Sequence, residues 1–262
     1  MRATVGQYWP GRSPLHRLDP RTKFVAVSGL TVALFVRDSF ASLAVFAAAA
    51  ALAYALSGVP ASWSWRAFKP LLWLVALTVV AQLLVAPGEP FLTVWFLHVS
   101  WQGLETAAFL TLRLFVLVLA GSVLTLTTPP VALTDGLAWL GRPLRRLGLP
   151  TDELALMVTI ALRFIPTLLA ELEAIMRAQR ARGAEFGRGG PLRRARALVP
   201  VLVPLFVLSF RRADQLALAM EARCYTPGQP RTRLHPLRAG RADAVALLVT
   251  AAVIALALWA GW

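Results

Sequence analysis

Apolar residues in the first half of the chain run in unbroken blocks separated by short polar punctuation. Ser39–Ala55 stops at Ser57-Gly58, Pro70–Ala86 at Pro87-Gly88 and Leu104–Thr127 at Pro129-Pro130, and a further block, Ala242–Trp262, closes the chain. Crossing ~30 Å of hydrocarbon takes about 20 apolar residues in a helix, so each block reads as a membrane span. Phe24–Val36 is shorter, held between Lys23 and Arg37. It becomes long enough if the helix starts at Pro20, with Asp19 as N-cap and Lys23 snorkelling to the interface. Five spans are therefore expected, the first two joined in a tight hairpin at Arg37-Asp38-Ser39.

The pattern changes between Val131 and Arg241. Val131–Leu147 reads as a short amphipathic helix bearing Arg142, Arg145 and Arg146. Beyond Gly148-Leu149-Pro150, Thr151 or Asp152 can cap a long second helix. Its apolar positions Leu154, Val158, Ala161, Ile165, Leu168, Leu172 and Ile175 step by three or four, which makes one stripe. Pro166 is expected to kink it. A third helix runs from about Leu192 to Arg223, with Pro200 and Pro204 in its first half. Its apolar stretch Ala197–Phe210 has the length of an interfacial or buried segment rather than a span. Each long helix would reach roughly 45 Å. The expected architecture is an all-α integral membrane protein of about five transmembrane helices, with two long crossed amphipathic helices and one shorter helix beside them. By region, 1–130 holds four spans, 131–241 the amphipathic helices and 242–262 the last span.

Charge sets the orientation. Cytoplasmic loops of membrane proteins hold the excess of Lys and Arg. Residues 1–23 carry five, Ala61–Lys69 two and Val131–Arg241 eighteen, whereas Pro87–Gly103 carries none. The N-terminus and the amphipathic region are expected inside a bacterial or archaeal cytoplasmic membrane, and the C-terminus outside. The net charge of +14 then faces the cytoplasm. Nucleic acid is a poor partner for it: only Arg193-Arg194-Ala195-Arg196 is a dense basic run, which suits lipid headgroups. Nine Trp fit interfacial belts in the bilayer.

Catalytic chemistry is not visible. The single Cys224 and the scattered His16, His98 and His235 form no metal set, and no cofactor is expected. A phosphate-binding loop needs Gly-Lys-Ser/Thr, and neither Lys23 nor Lys69 follows a glycine. No nucleophile–base or paired-carboxylate pattern stands out, so the chain is not expected to be an enzyme. Glu105 and Arg113, eight residues apart in one span, read as a structural ion pair or interfacial anchors.

The distinctive feature is a duplication. The second long helix ends in Ala181-Arg182-Gly183 and the third in Ala222-Arg223-Cys224. A single helix-end Arg is ordinarily a dipole complement, with Gly as the left-handed cap. Two such ends, 41 positions apart on helices of like length, also suit protruding guanidinium forks that need small neighbours to enter a partner's groove. Two plugs fit a partner that comes as a pair of like subunits.

Several tracts in order resemble one family, the transmembrane coupling (T) components of energy-coupling factor (ECF) transporters for vitamins and metal ions. They are Ser13-Pro14-Leu15-His16-Arg17-Leu18-Asp19-Pro20-Arg21-Thr22-Lys23, Thr134-Asp135-Gly136-Leu137, Leu162-Arg163-Phe164-Ile165-Pro166 with Glu171, Arg211-Arg212-Ala213-Asp214, and the two Ala-Arg ends. Cys224 departs from the family's usual Gly and reads as a small packing residue. The resemblance implies a non-catalytic subunit of an ATP-driven importer, with residues 131–241 as its coupling-helix region. It implies two cytoplasmic ABC ATPases as partners, docked on Ala181, Arg182 and Gly183 and on Ala222, Arg223 and Cys224. It further implies a membrane-embedded substrate-binding S component. A conventional ABC-importer permease is the nearest alternative, but its coupling motif is not matched around Glu173-Ala174. A membrane-anchored basic binding protein is the other.

Overall fold

The computed structural model describes residues 8–85, 90–94, 97–141, 143, 148, 150–184, 186, 190–229 and 239–261. Nine α-helices lie among them: α1 Pro20–Val36, α2 Phe40–Ser57, α3 Ala61–Phe68, α4 Leu72–Val85, α5 Trp101–Thr127, α6 Pro130–Leu140, α7 Thr151–Ala181, α8 Pro191–Glu221 and α9 Arg241–Ala260. The protein is an all-α membrane protein with one addition. Between α4 and α5, β1 (Pro90–Val94) pairs antiparallel with β2 (Leu97–Ser100), with an irregularity between Pro90 and Leu92. The sequence pattern read this stretch as loop, because four or five residues are too few to establish a period of two.

Among the described residues, α1–α6 with α9 form one compact unit, and α7 with α8 a second. The core of the first is apolar and small-residue rich. Leu34, Leu43, Phe46, Phe109, Val116 and Leu119 pack with Ala33, Ala50 and Ala257, small side chains contributed by α1, α2 and α9. Much of the remaining apolar surface is exposed, including Val32, Phe35, Leu52, Leu77, Phe115 and Leu248, as lipid-facing spans require. By length and composition α2, α5, α7 and α9 qualify as spans, and α4 offers the shorter apolar stretch Leu72–Gln82.

Two basic side chains set the register between the antiparallel helices α1 and α5. Asp19 caps α1, accepting from the N–H of Arg21 at 2.9 Å. Lys23 does not snorkel as expected but turns inward and is buried. It donates to the Thr127 carbonyl at 3.0 Å and the Thr128 hydroxyl at 3.1 Å. Fourteen residues past Lys23, at the end of α1, the Arg37 carbonyl accepts from Arg113, as does the neighbouring Asp38 carboxylate; Arg113 lies fourteen residues before Thr127 on α5. Both intervals measure roughly 21 Å, so the two pins do not strain one another. Arg113 also lies over the ring of Phe109 at 4.6 Å. The anticipated partnership of Glu105 with Arg113 is thereby corrected: Glu105 is exposed, and Asp38 supplies the carboxylate.

Asp243 ties the last helix to the same end of the bundle. Its Oδ1 accepts from the Asp19 N–H and its Oδ2 from the Gly240 N–H, both at 2.7 Å, while its own N–H donates to the Gly240 carbonyl. The starts of α1 and α9 and the end of α5 therefore lie at one level. The other end of α9 comes back to the α1–α2 turn, where Gly261 stands against Ser39 and Arg37. Near the first level α6 packs on α1, and a Cβ at Gly136 would meet the Phe24 ring at 3.2 Å. The segment before α1 lies at this level too. Trp9 donates its N–H to the Leu126 carbonyl and sets its ring edge-on to Trp63 of α3. His16 holds that segment with Nε2–H on the Trp9 carbonyl and Nδ1 on the Ser13 hydroxyl.

Candidate functional site

The second unit is a pair of 31-residue helices. Helix α7 starts at Thr151 with Pro150 at the N-cap position, rather than with Thr151 or Asp152 there. Asp152 and Glu153 occupy its first turn, where the helix dipole favours negative charge. It continues through Pro166, as α8 does through Pro200 and Pro204. The expected Arg142, Arg145 and Arg146 lie outside the described residues.

The two helices pack antiparallel. Glu171 of α7 forms an ion pair with Arg212 of α8, and Gln179, further along α7, reaches back to Pro200 on α8. The second contact has a cause in the sequence. Pro204 has no N–H, so the Pro200 carbonyl loses its intrahelical donor, and the Gln179 amide approaches it at 3.5 Å. The stripe on α7 is covered only in part. Ile165, Leu168, Leu172 and Ile175 are half-buried, whereas Leu154, Met157 and Val158 stay exposed. On α8, Val201 is buried, but Val199, Val203, Phe206, Val207 and Phe210 form an exposed apolar face. After α8, the chain turns back onto the start of α7, with the Gly228 N–H donating to Glu153 at 2.9 Å.

The two Ala-Arg ends share one geometry. At the end of α7, Ala184 N–H donates to the Gln179 carbonyl and Gly183 N–H to the Arg180 carbonyl, with Gly183 at φ +85°. At the end of α8, Tyr225 N–H donates to the Met220 carbonyl and Cys224 N–H to the Glu221 carbonyl, with Cys224 at φ +58°. Both are Schellman caps with Arg at the final position and the third residue of the triplet left-handed. Cys224 is therefore more than a small packing residue: it holds a backbone conformation that suits glycine. For a side chain that conformation costs roughly 1–2 kcal/mol. Ala181, Arg182, Gly183, Ala222, Arg223 and Cys224 are all exposed. Because α7 and α8 run in opposite directions, their Arg ends point opposite ways. Measured along α8 from Pro200 to Arg223, they stand roughly 35 Å apart.

Sequence reasoning located both triplets but missed what holds them. Glu171 and Arg212 were visible as parts of separate tracts, with nothing to say that they meet. The Asp243 knot was also missed, although Gly240-Arg241-Ala242-Asp243 carries an acid three residues after a helix start. Among the described residues no group of His, Cys, Asp or Glu could hold a metal ion.

The first unit is the apolar helical bundle of a membrane protein, and the second is a pair of antiparallel helices with matched Arg caps. The chain belongs to the CbiQ family, described as cobalt transport protein, which matches residues 11–234, and within it to the T components of energy-coupling factor transporters. It is 47% identical over 259 residues to the energy-coupling factor transporter transmembrane protein EcfT of Acidaminococcus fermentans, covering 99% of this chain and 97% of that one. The EcfT of Thermosediminibacter oceani is 48% identical over 94% of this chain and 93% of its own. That of Thermanaerovibrio acidaminovorans is 49% identical, covering 94% and 91%.

Proposed function

We propose that this chain is the transmembrane coupling subunit of an ECF-type importer, carrying ATP-driven motion of two cytoplasmic ATPases to a membrane-embedded S component that binds a vitamin or metal ion. The observation that carries the reading is the identical Schellman cap on both long helices, each presenting an exposed Arg between small residues. Each guanidinium offers five donors in a rigid fork to carboxylate and carbonyl acceptors in an ATPase groove. Closure of the ATPase pair on ATP draws the two Arg ends together and changes how α7 crosses α8. The apolar face of α8 from Val199 to Phe210 passes that change to the S component.

The module works from the cytoplasmic side, with the N-terminus inside and the C-terminus outside. The charges of α7 support this placement despite its length. Arg163, Glu171, Glu173, Arg177 and Arg180 interrupt it, whereas α2 carries no charge and α9 only Arg241 and Asp243 in its first turn. The shared level of the starts of α1 and α9 and the end of α5 supports it too, because one side of the membrane then receives all three. Cys224 is exposed and serves as a native probe. An impermeant thiol reagent should leave it unlabelled in intact cells while labelling Gln102→Cys in a Cys224→Ser background. Labelling of both from outside contradicts the topology.

In this account ATP chemistry belongs to the partners. Purified chain alone should hydrolyse no ATP, and turnover should appear only when both ATPases co-purify. Turnover that follows the pure chain through successive separations refutes the assignment.

A further inference from the structure

We propose that Glu171 and Arg212 are positioning residues that set the angle and register between α7 and α8, so that displacement of one Arg end is delivered to the other helix. The proposal deepens the coupling reading above and rests on it for its consequence in transport.

The pair lies where the two helices meet, and its geometry differs from the other charge contacts of the unit. Arg177–Glu173 is an exposed pair within one helix at 3.8 Å, of the kind that contributes little. Glu171 and Arg212 join different helices, and their side chains retain only 22% and 32% of their exposure. The guanidinium also lies 5.8 Å from the ring of Phe164, one helical stretch back on α7, so Arg212 touches α7 at two heights. Such a contact resists both sliding and rotation.

The pair is poorly arranged for stability alone. Glu171 Oε2 and Arg212 Nη1 are buried and lack hydrogen-bond partners among the described residues. Half-satisfied buried charges contribute little net stability and are often replaceable by apolar side chains without loss of fold. What an apolar pair cannot supply is a unique register, because the facing stripes of Leu, Ile and Val slide over one another at small cost. Glu171 stands 11 residues before Arg182, and Arg212 the same number before Arg223. The two arms from pin to plug are therefore equal, each about 16 Å. A central pin with equal arms converts approach of the two ends into rotation about the crossing.

The test combines a distance with a transport ratio. Spin labels at Arg177→Cys and Leu218→Cys, with Cys224→Ser, report the separation of the two arms in the purified full-length chain. One sharp distance is expected in the parent, a distribution at least twice as broad in Glu171→Gln, and the sharp distance again in the charge swap Glu171→Arg/Arg212→Glu. Arg212→Lys, which keeps the charge and loses the fork, should fall between. In the assembled transporter in proteoliposomes, Glu171→Gln should keep both ATPases and their ATP turnover within threefold while uptake per ATP falls at least tenfold. The swap should recover at least a third of it. Apolar Glu171→Leu/Arg212→Met should keep the thermal midpoint of the parent yet show the broad distance. An unchanged sharp distance in Glu171→Gln overturns the proposal. So does a swap that restores neither distance nor uptake. The distance needs no ATPase, so it decides the pin even where the docking reading fails. Absence of ATPases from the parent chain strikes only that docking reading.

Discussion

Replacing Arg182 or Arg223 by alanine should weaken binding of one ATPase about 30- to 1000-fold. Each substitution removes several charge-assisted hydrogen bonds and leaves acceptors in the partner's groove unpaired, a loss of about 2–4 kcal/mol at a desolvated charged contact. Arg→Lys should rescue poorly, because an ammonium is a point charge and cannot span the acceptors met by a planar fork. The isolated variants should fold and insert normally, since both side chains are exposed and cap their helices through backbone rather than side-chain atoms. Titrating ATPase onto immobilised chain gives the affinities, and uptake assays give the consequence. Each single substitution should impair uptake and the double substitution abolish it. If both Arg served only as dipole complements, affinities within twofold of the parent would result.

The second large effect is on stability, and it falls at Asp243. Asp243→Ala leaves the buried Asp19 N–H without its acceptor, takes the acceptor from the exposed Gly240 N–H and removes a carboxylate near Lys23. One charge-assisted bond lost with its donor left buried, and a second lost at an N–H that water can reach, amount to about 2–4 kcal/mol. Asp243→Asn should cost about half as much, because one amide oxygen can still accept. The α9 start is released from α1, so the bundle should unfold at lower temperature in detergent and its membrane abundance should fall severalfold. A melting midpoint within a degree or two of the parent contradicts the role given to this knot. ATPase docking by whatever chain survives should be unaffected, which separates this variant from the Arg variants.

The parts of the fold legible in the sequence are those set by local pattern. Blocks of apolar residues, the Asp19-Pro20 start of α1 and the small residues closing both long helices are all signals within one element. What stayed illegible depends on which elements meet. Lys23 reads as a snorkelling residue at a helix end, and only the approach of Thr127 and Thr128 turns it inward. Arg113 has an acid in its own span at Glu105, yet finds Asp38 across the bundle. Glu171 and Arg212 lie in tracts 41 residues apart, and no periodicity relates them. The left-handed Cys224 was hidden for another reason: cysteine carries no turn signal, and its conformation follows from the backbone cap that Gly183 makes plain on α7.

Docking of two ATPases through two equivalent helix ends is most directly tested by weighing the intact complex. Native mass spectrometry of tagged chain from its own membranes should give one copy of this chain with two ATPase subunits and one S component. The Arg182→Ala/Arg223→Ala chain, at equal membrane abundance, should emerge with no ATPase. A parent complex holding a single ATPase, or a double variant that keeps both, contradicts the account.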